Sequence, residues 1–258
     1  TGAPNMEVKI IGCSGYRVTF SDGTSTLSSK TKLYIIGSDF KAGFNMGTKD
    51  NISVHALFSS FKATIYLRHG EIRGCTTQTI SISNGSAVGL GDTLFIVGNT
   101  ITGSLSWNND DHYFYISNNY INNPIDGRRG LYILNHLYNS SKNNTAANNT
   151  IISHFNSTAY TGTLEIKSPS DDGNIHFYNC IIRNTKSGTS NAISSNQTYS
   201  SSTNYAYFYN CIYSVKGSGV NVTFSSSGIA AVDSYGRGID SVSIDQGFPS
   251  VEYYDIDL

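Results

Sequence analysis

Phe177-Tyr178-Asn179-Cys180-Ile181 and Phe208-Tyr209-Asn210-Cys211-Ile212 repeat almost the same words at an interval of 31 residues. A shorter core, Asn-x-Ile, recurs at Asn99-Thr100-Ile101, Asn119-Tyr120-Ile121 and Asn149-Thr150-Ile151, so the five asparagines step by 20, 30, 30 and 31 residues. Self-similarity at this period marks a stacked repeat, in which one unit cannot bury its apolar face alone. Each unit reads as a strand: Leu94–Val97, Phe114–Ile116, Leu131–Leu134, Ile175–Tyr178 and Tyr207–Tyr209. A strand, a tight turn bearing Asn, and an Ile returning to the interior make one corner of a parallel β-helix. The expected fold is all-β, a right-handed parallel β-helix of about nine to eleven coils over residues 1–258 as a single domain.

The earlier third carries less regular coils. Val8–Gly12 and Leu33–Gly37 match at a 25-residue step, and Thr64–Leu67 and Thr79–Ile82 read as further strands. Polar stretches at Ser104–His112, Asn139–Asn149, Ser168–Asn174 and Ser187–Asn204 lack helical periodicity and read as turns or excursions. The C-terminal residues Tyr253–Leu258 are strand-like, and both ends of a β-helix are open sheet edges. The expectation is part of a longer chain or a surface assembly, with a protein partner at the uncapped ends.

Charge is sparse. Seventeen Lys+Arg against 18 Asp+Glu leave a net charge of −1, which gives no electrostatic case for nucleic acid. No apolar run approaches the length of a membrane span. Cys13, Cys75, Cys180 and Cys211 lack metal-ligand spacing, so no metal is expected. Cys180 and Cys211 occupy one place in two repeats, where parallel side chains make poor disulfide geometry; the expectation is stacked, reduced thiols.

The corner motifs and the repeated segments resemble the right-handed parallel β-helix proteins of the pectate-lyase-like superfamily, best over residues 90–225. The ending Asp245-Gln246-Gly247-Phe248-Pro249 with Glu252–Leu258 also resembles the closing segment of exported β-helix proteins of Bacteroidetes type. The resemblance implies an extracellular or cell-surface protein. Its superfamily spans lyases, hydrolases and adhesins, so it does not choose among them.

The row Asn99, Asn119, Asn149, Asn179 and Asn210 is expected to be an internal stack of side-chain amides, rather than a sugar-binding row. Acid pairs at Asp110-Asp111 and Asp171-Asp172 lack the Asn-Thr-Asp, Gly-His-Gly and Arg-Ile-Lys motifs of polygalacturonases; Glu165-Ile166-Lys167 only echoes the last. Lyase chemistry needs a base near carboxylates that hold Ca²⁺. Asp110, Asp111, Asp126, Arg128 and Arg129, with His112 and His136, are the charged residues that adjacent coils can bring together. Ca²⁺ enters only with that chemistry; otherwise no cofactor is expected.

Aromatics are abundant, with 18 Tyr and 12 Phe. Alternation along a strand turns Tyr115, Tyr132, Tyr178 and Tyr209 outward, either as a platform for sugar rings or as stacking that stiffens the rod. Trp107, read as a loop residue, is the residue expected to touch a glycan, with Tyr115 and Tyr132. Two functions follow. One is a non-catalytic exported rod, adhesin-like or glycan-binding, whose partner is a polysaccharide or cell-surface glycan. The other is a polysaccharide lyase or glycoside hydrolase acting on a bacterial or algal polysaccharide.

Overall fold

The computed structural model describes residues 6–19, 31–45, 52–83, 93–109, 112–125, 128–136, 144–154, 162–166, 174–186, 191–195, 204–209, 211–215, 220–224 and 229–233. Every regular element among them is a strand, and every pairing between strands is parallel. The strands stack into a ten-stranded and a sixteen-stranded sheet, an architecture of the parallel β-solenoid kind. No helix among the described residues is long and apolar enough to cross a membrane.

One unit shows the path. Tyr113–Ser117 lies in the ten-stranded sheet, Asn118 and Asn119 turn the corner, and Tyr120–Asn123 and Leu131–His136 run in the other sheet. The longer strand Thr76–Ser83 pairs with both Thr100–Ile101 and Leu105–Asn109, which joins the sides of the larger sheet. The repeats at Val8–Gly12 and Leu33–Gly37 pair as their spacing predicts, Val8 against Leu33 and Ile11 against Ile36. Thr64–Leu67 and Thr79–Ile82 pair likewise.

The core is a set of rows running through successive strands. Ile35, Ala56, Ile72, Ile96, Ile116, Ala146, Phe177 and Phe208 form one such row, all buried. Period-2 alternation puts these residues inside and their neighbours out. Gly70 replaces a side chain in the adjacent row because a Cβ there would meet the Val54 carbonyl oxygen at 1.8 Å.

The corner after the ten-stranded sheet obeys a strict rule. Its first residue is left-handed in every described unit: Gly12, Gly37, Phe58, Gly74, Gly98, Asn118, Asn148 and Asn179. Gly and Asn tolerate this conformation best. The second residue belongs to a continuous ladder of Cys13, Ser38, Ser59, Cys75, Asn99, Asn119, Asn149, Cys180 and Cys211, buried from Ser38 through Cys180, with Cys13 exposed and Cys211 half-buried. The backbone N–H of one member donates to the side chain of the next, as Asn99 does to Asn119 Oδ1 at 3.0 Å and Asn119 to Asn149 Oδ1 at 3.1 Å. From Ser59 onward each side chain also donates back to a carbonyl three residues before its predecessor: Ser59 Oγ to Ile35, Asn119 Nδ2 to Ile96, Cys180 Sγ to Ala146.

This corrects the expected asparagine row. Asn99, Asn119 and Asn149 are the buried amides anticipated, but Asn179 is the exposed left-handed residue, and Cys180 takes the ladder position. Asn210 lies outside the described residues, and the ladder there is continued by Cys211. The following Ile shifts too: Ile182, not Ile181, pairs with the buried Ile151 and is itself buried. All four cysteines are free thiols. Burial raises the Cys75 thiol to about 11. Cys211 beside it in the hydrogen-bonded pair lowers the Cys180 thiol, while Cys211 itself is raised.

Three segments read as polar excursions contain strands. Leu105–Asn109, Asn144–Ala147 and Asn191–Ser195 extend the sheets despite few β-branched residues, because neighbours on both sides supply their backbone partners. Leu131–His136 belongs to the sixteen-stranded sheet, whereas the other four motif strands lie in the ten-stranded one.

Candidate functional site

The outward positions of the ten-stranded sheet form a band of aromatic and polar side chains. Register aligns Lys9, Tyr34, His55, Glu71, Phe95, Tyr115, Thr145 and His176 along its middle. Beside it run Arg73, Val97, Ser117, Ala147, Tyr178 and Tyr209, of which Ser117 and Ala147 are covered by their neighbours. Tyr34 stacks on His55 with ring centroids 4.7 Å apart, and Phe95 meets Tyr115 at 5.9 Å. Tyr178 and Tyr209 stack at 4.7 Å, with His176 parallel to both. Arg73 lies over the Phe95 ring.

Between the first two aromatic groups lies a hydrogen-bonded chain. Ser53 Oγ stands 3.3 Å from His55 Nε2, and His55 Nδ1 lies 2.8 Å from Glu71 Oε1. Arg73 Nε donates to the other Glu71 oxygen. Burial works against the Glu71 charge, but the bonds from His55 and Arg73 hold its carboxyl below the ordinary value. Serine, imidazole and carboxylate in this order also form a nucleophile relay, but acyl transfer needs donors for an oxyanion. Here the backbone of Ser53 is paired on both sides, with Lys32 and His69. The group orders polar side chains on the band.

A second charged group lies on the sixteen-stranded sheet. Arg129 Nε donates to Glu165 Oε2, and the same guanidinium lies over the Tyr132 ring at 4.7 Å. The Glu165 side chain is only 3% exposed, that of Arg129 31%. Burial and the Glu165 charge raise the Tyr132 hydroxyl above its ordinary value, against the pull of Arg129. In the sequence Glu165 stands only within the motif echo Glu165-Ile166-Lys167. Its outward register beside Tyr132 is a consequence of pairing across 33 residues.

Asp110, Asp111 and Asp126 lie outside the described residues, as do Asp171 and Asp172. Arg128 is exposed, and its backbone N–H donates to the Ile125 carbonyl. His112 is buried, with its ring edge-on to His69 at 4.6 Å. His136 ends a strand, paired with Asn109. Tyr115 and Tyr132, expected to act together, face outward from different sheets.

Trp107 is not a surface loop residue. It lies within the strand Leu105–Asn109 at 0% exposure, in the buried row of Ile82 and Ile133. Its ring meets Phe114 at 5.1 Å, and its indole N–H donates to the Asn109 carbonyl at 2.9 Å. The hydrogen bond satisfies its one polar atom, so the indole is a core side chain.

Compared with protein-family models, curated proteins and solved structures, the chain matches none of them.

Proposed function

We propose that this chain is an exported, cell-surface β-helix rod of the pectate-lyase-like kind. It binds a polysaccharide or cell-surface glycan along the outer face of its ten-stranded sheet, as an adhesin-like part of a larger assembly. The proposed hand is right, since crossovers between parallel strands are right-handed in about 98% of cases. About nine to eleven coils accommodate the ten strands of the first sheet.

The observation that carries the glycan reading is the outward band Tyr34, His55, Phe95, Tyr115, His176, Tyr178 and Tyr209. Aromatic side chains combine a large apolar surface with a polar tip, which suits a ligand that has C–H faces and hydroxyl edges. Polar groups between the rings, above all Ser53, His55 and Glu71, add oriented donors and acceptors. A rod also offers repeated contacts to a long polymer, so weak single contacts add through high effective concentration.

Affinity electrophoresis and pull-down on a panel of insoluble and gel-embedded polysaccharides, uronate polymers included, test this reading. Wild type is expected to be retained on one class, with Tyr115→Ala and Tyr178→Ala retained less. No retention across the panel overturns it. Release of new reducing ends or unsaturated uronate from the same samples instead assigns a hydrolase or lyase.

A further inference from the structure

The aromatic band is broken at two described levels: at Glu71, where the long side chains of Glu71 and Arg73 fill the level, and at one level where the side chains are short. The strand Asn144–Ala147 places the half-buried Thr145 and the largely covered Ala147, 9% exposed, on the outer side of the sheet, in register with Tyr115 and the buried Ser117 on one side and His176 and Tyr178 on the other. Levels of a parallel sheet are about 4.8 Å apart, so the Tyr115 and His176 levels lie about 9.6 Å apart across this short-side-chain level. Tyr178 has one ring face against Tyr209, and His176 stacks on the same Tyr209 ring. By register, Thr145 and Ala147 lie opposite His176 and Tyr178 on the neighbouring level. Tyr115 is tilted against Phe95 and likewise borders Thr145 on its opposite side. Among the described residues, Tyr115 and Tyr178 are the most exposed aromatics on this face, at 38% and 37%.

We propose that this gap is a slot for one sugar ring of a bound glycan, floored by Thr145 and Ala147 and walled by Tyr115 on one side and His176 with Tyr178 on the other. A ring placed midway is about 4.8 Å from each wall, inside the roughly 4.5–7 Å range of favourable ring contacts. A pyranose presents C–H groups on both faces, which suits two aromatic walls, and its hydroxyl edge meets the Thr145 hydroxyl and the tyrosine phenols. A fully aromatic band would close the slot, because each ring would cover the next. The missing ring makes the site.

The inference rests on the glycan reading above, and two measurements separate their failures. In the first, phenyl β-glucoside is titrated into the protein while the methyl resonances of Thr145 and Ala147 are followed by NMR. Both should shift in the wild type, and the Ala147 shift should vanish in Thr145→Tyr, which fills the slot. In the second, polysaccharide retention should fall about tenfold or more in Thr145→Tyr, with the melting temperature kept or raised by the completed stack. Tyr178→Ala removes a wall instead of filling the gap, and should show the same loss should Thr145→Tyr fold poorly. Shifts at Thr145 and Ala147 without retention of any polysaccharide would keep the slot and overturn the glycan reading. Undiminished retention by Thr145→Tyr and Tyr178→Ala would keep the glycan reading and overturn the slot. Absence of shifts at Thr145 and Ala147 overturns the slot outright.

Discussion

Asn119 Nδ2 donates to Asn149 Oδ1 at 3.0 Å across one level of the solenoid, and the same Oδ1 accepts the Asn119 backbone N–H at 3.1 Å. Both asparagines are buried, so no water replaces either bond. The amide is suited to this because it offers two donors and an acceptor in one plane, one donor going up the ladder and one to the Ile96 carbonyl.

Asn119→Ala should therefore destabilise the protein by about 2–4 kcal/mol, since at least two buried groups lose a partner at roughly 1–3 kcal/mol each. Asn179, although in the most obvious repeat, should behave differently. Asn179→Gly should be nearly neutral, and Asn179→Ala should lose about 1 kcal/mol from the left-handed backbone alone. Denaturant midpoints of the three variants check the assignment. Equal losses for Asn119→Ala and Asn179→Ala would sink it.

Phe58 holds the left-handed corner position that Gly or Asn fills elsewhere, at φ 50°, with 72% of its surface exposed. Its ring lies against Gly74 on the next level, where an added Cβ would meet it at 2.7 Å. A bulky residue in this conformation stores about 1–2 kcal/mol, and the exposed ring returns little of it. Phe58→Asn should raise stability by about 1 kcal/mol. A thermal melt that drops by several degrees would show that the ring contributes more than its backbone costs.

Removing Arg129 leaves the buried Glu165 carboxylate without its guanidinium partner. Breaking a buried pair from one side costs roughly 3–5 kcal/mol, and the partial exposure of Arg129 places this case at the lower end. Arg129→Met should lose about 3 kcal/mol, while Arg129→Met with Glu165→Met recovers most of it. A double-mutant cycle in urea measures the coupling; additive losses would mean that the two groups do not depend on each other.

Burial lowers the pKa of His176 from its ordinary 6.5. Between 6.5 and that lower value the unfolded chain binds a proton that the folded chain refuses, so stability falls as pH falls through this window. Above 6.5 the imidazole is neutral in both states and contributes no pH dependence. Melting curves from pH 7.5 to 5 should show wild type losing ground to His176→Gln below pH 6.5. A difference independent of pH would place the imidazole in an environment no drier than water.

The repeat period, the strands around the aromatic motifs and the small-or-Asn corners are determined by the sequence alone, because alternation and left-handed preference are local properties. The same local reading misplaced the ladder by one residue at Asn179. Asn, Ser and Cys each carry a donor and an acceptor that suit the interior position, so residue type does not separate Asn179 from Cys180. Only the pairing of Ile151 with Ile182 does, and that is a tertiary contact. The place of Trp107 is not legible locally for a related reason: its strand is rich in Ser and Asn, and the levels above and below, not its own propensity, keep it extended and its indole inside. The slot over Thr145 and Ala147 had no sequence signal at all. It is the absence of a ring between rings brought together from residues 115 and 176, and such a gap exists only once the chain has stacked.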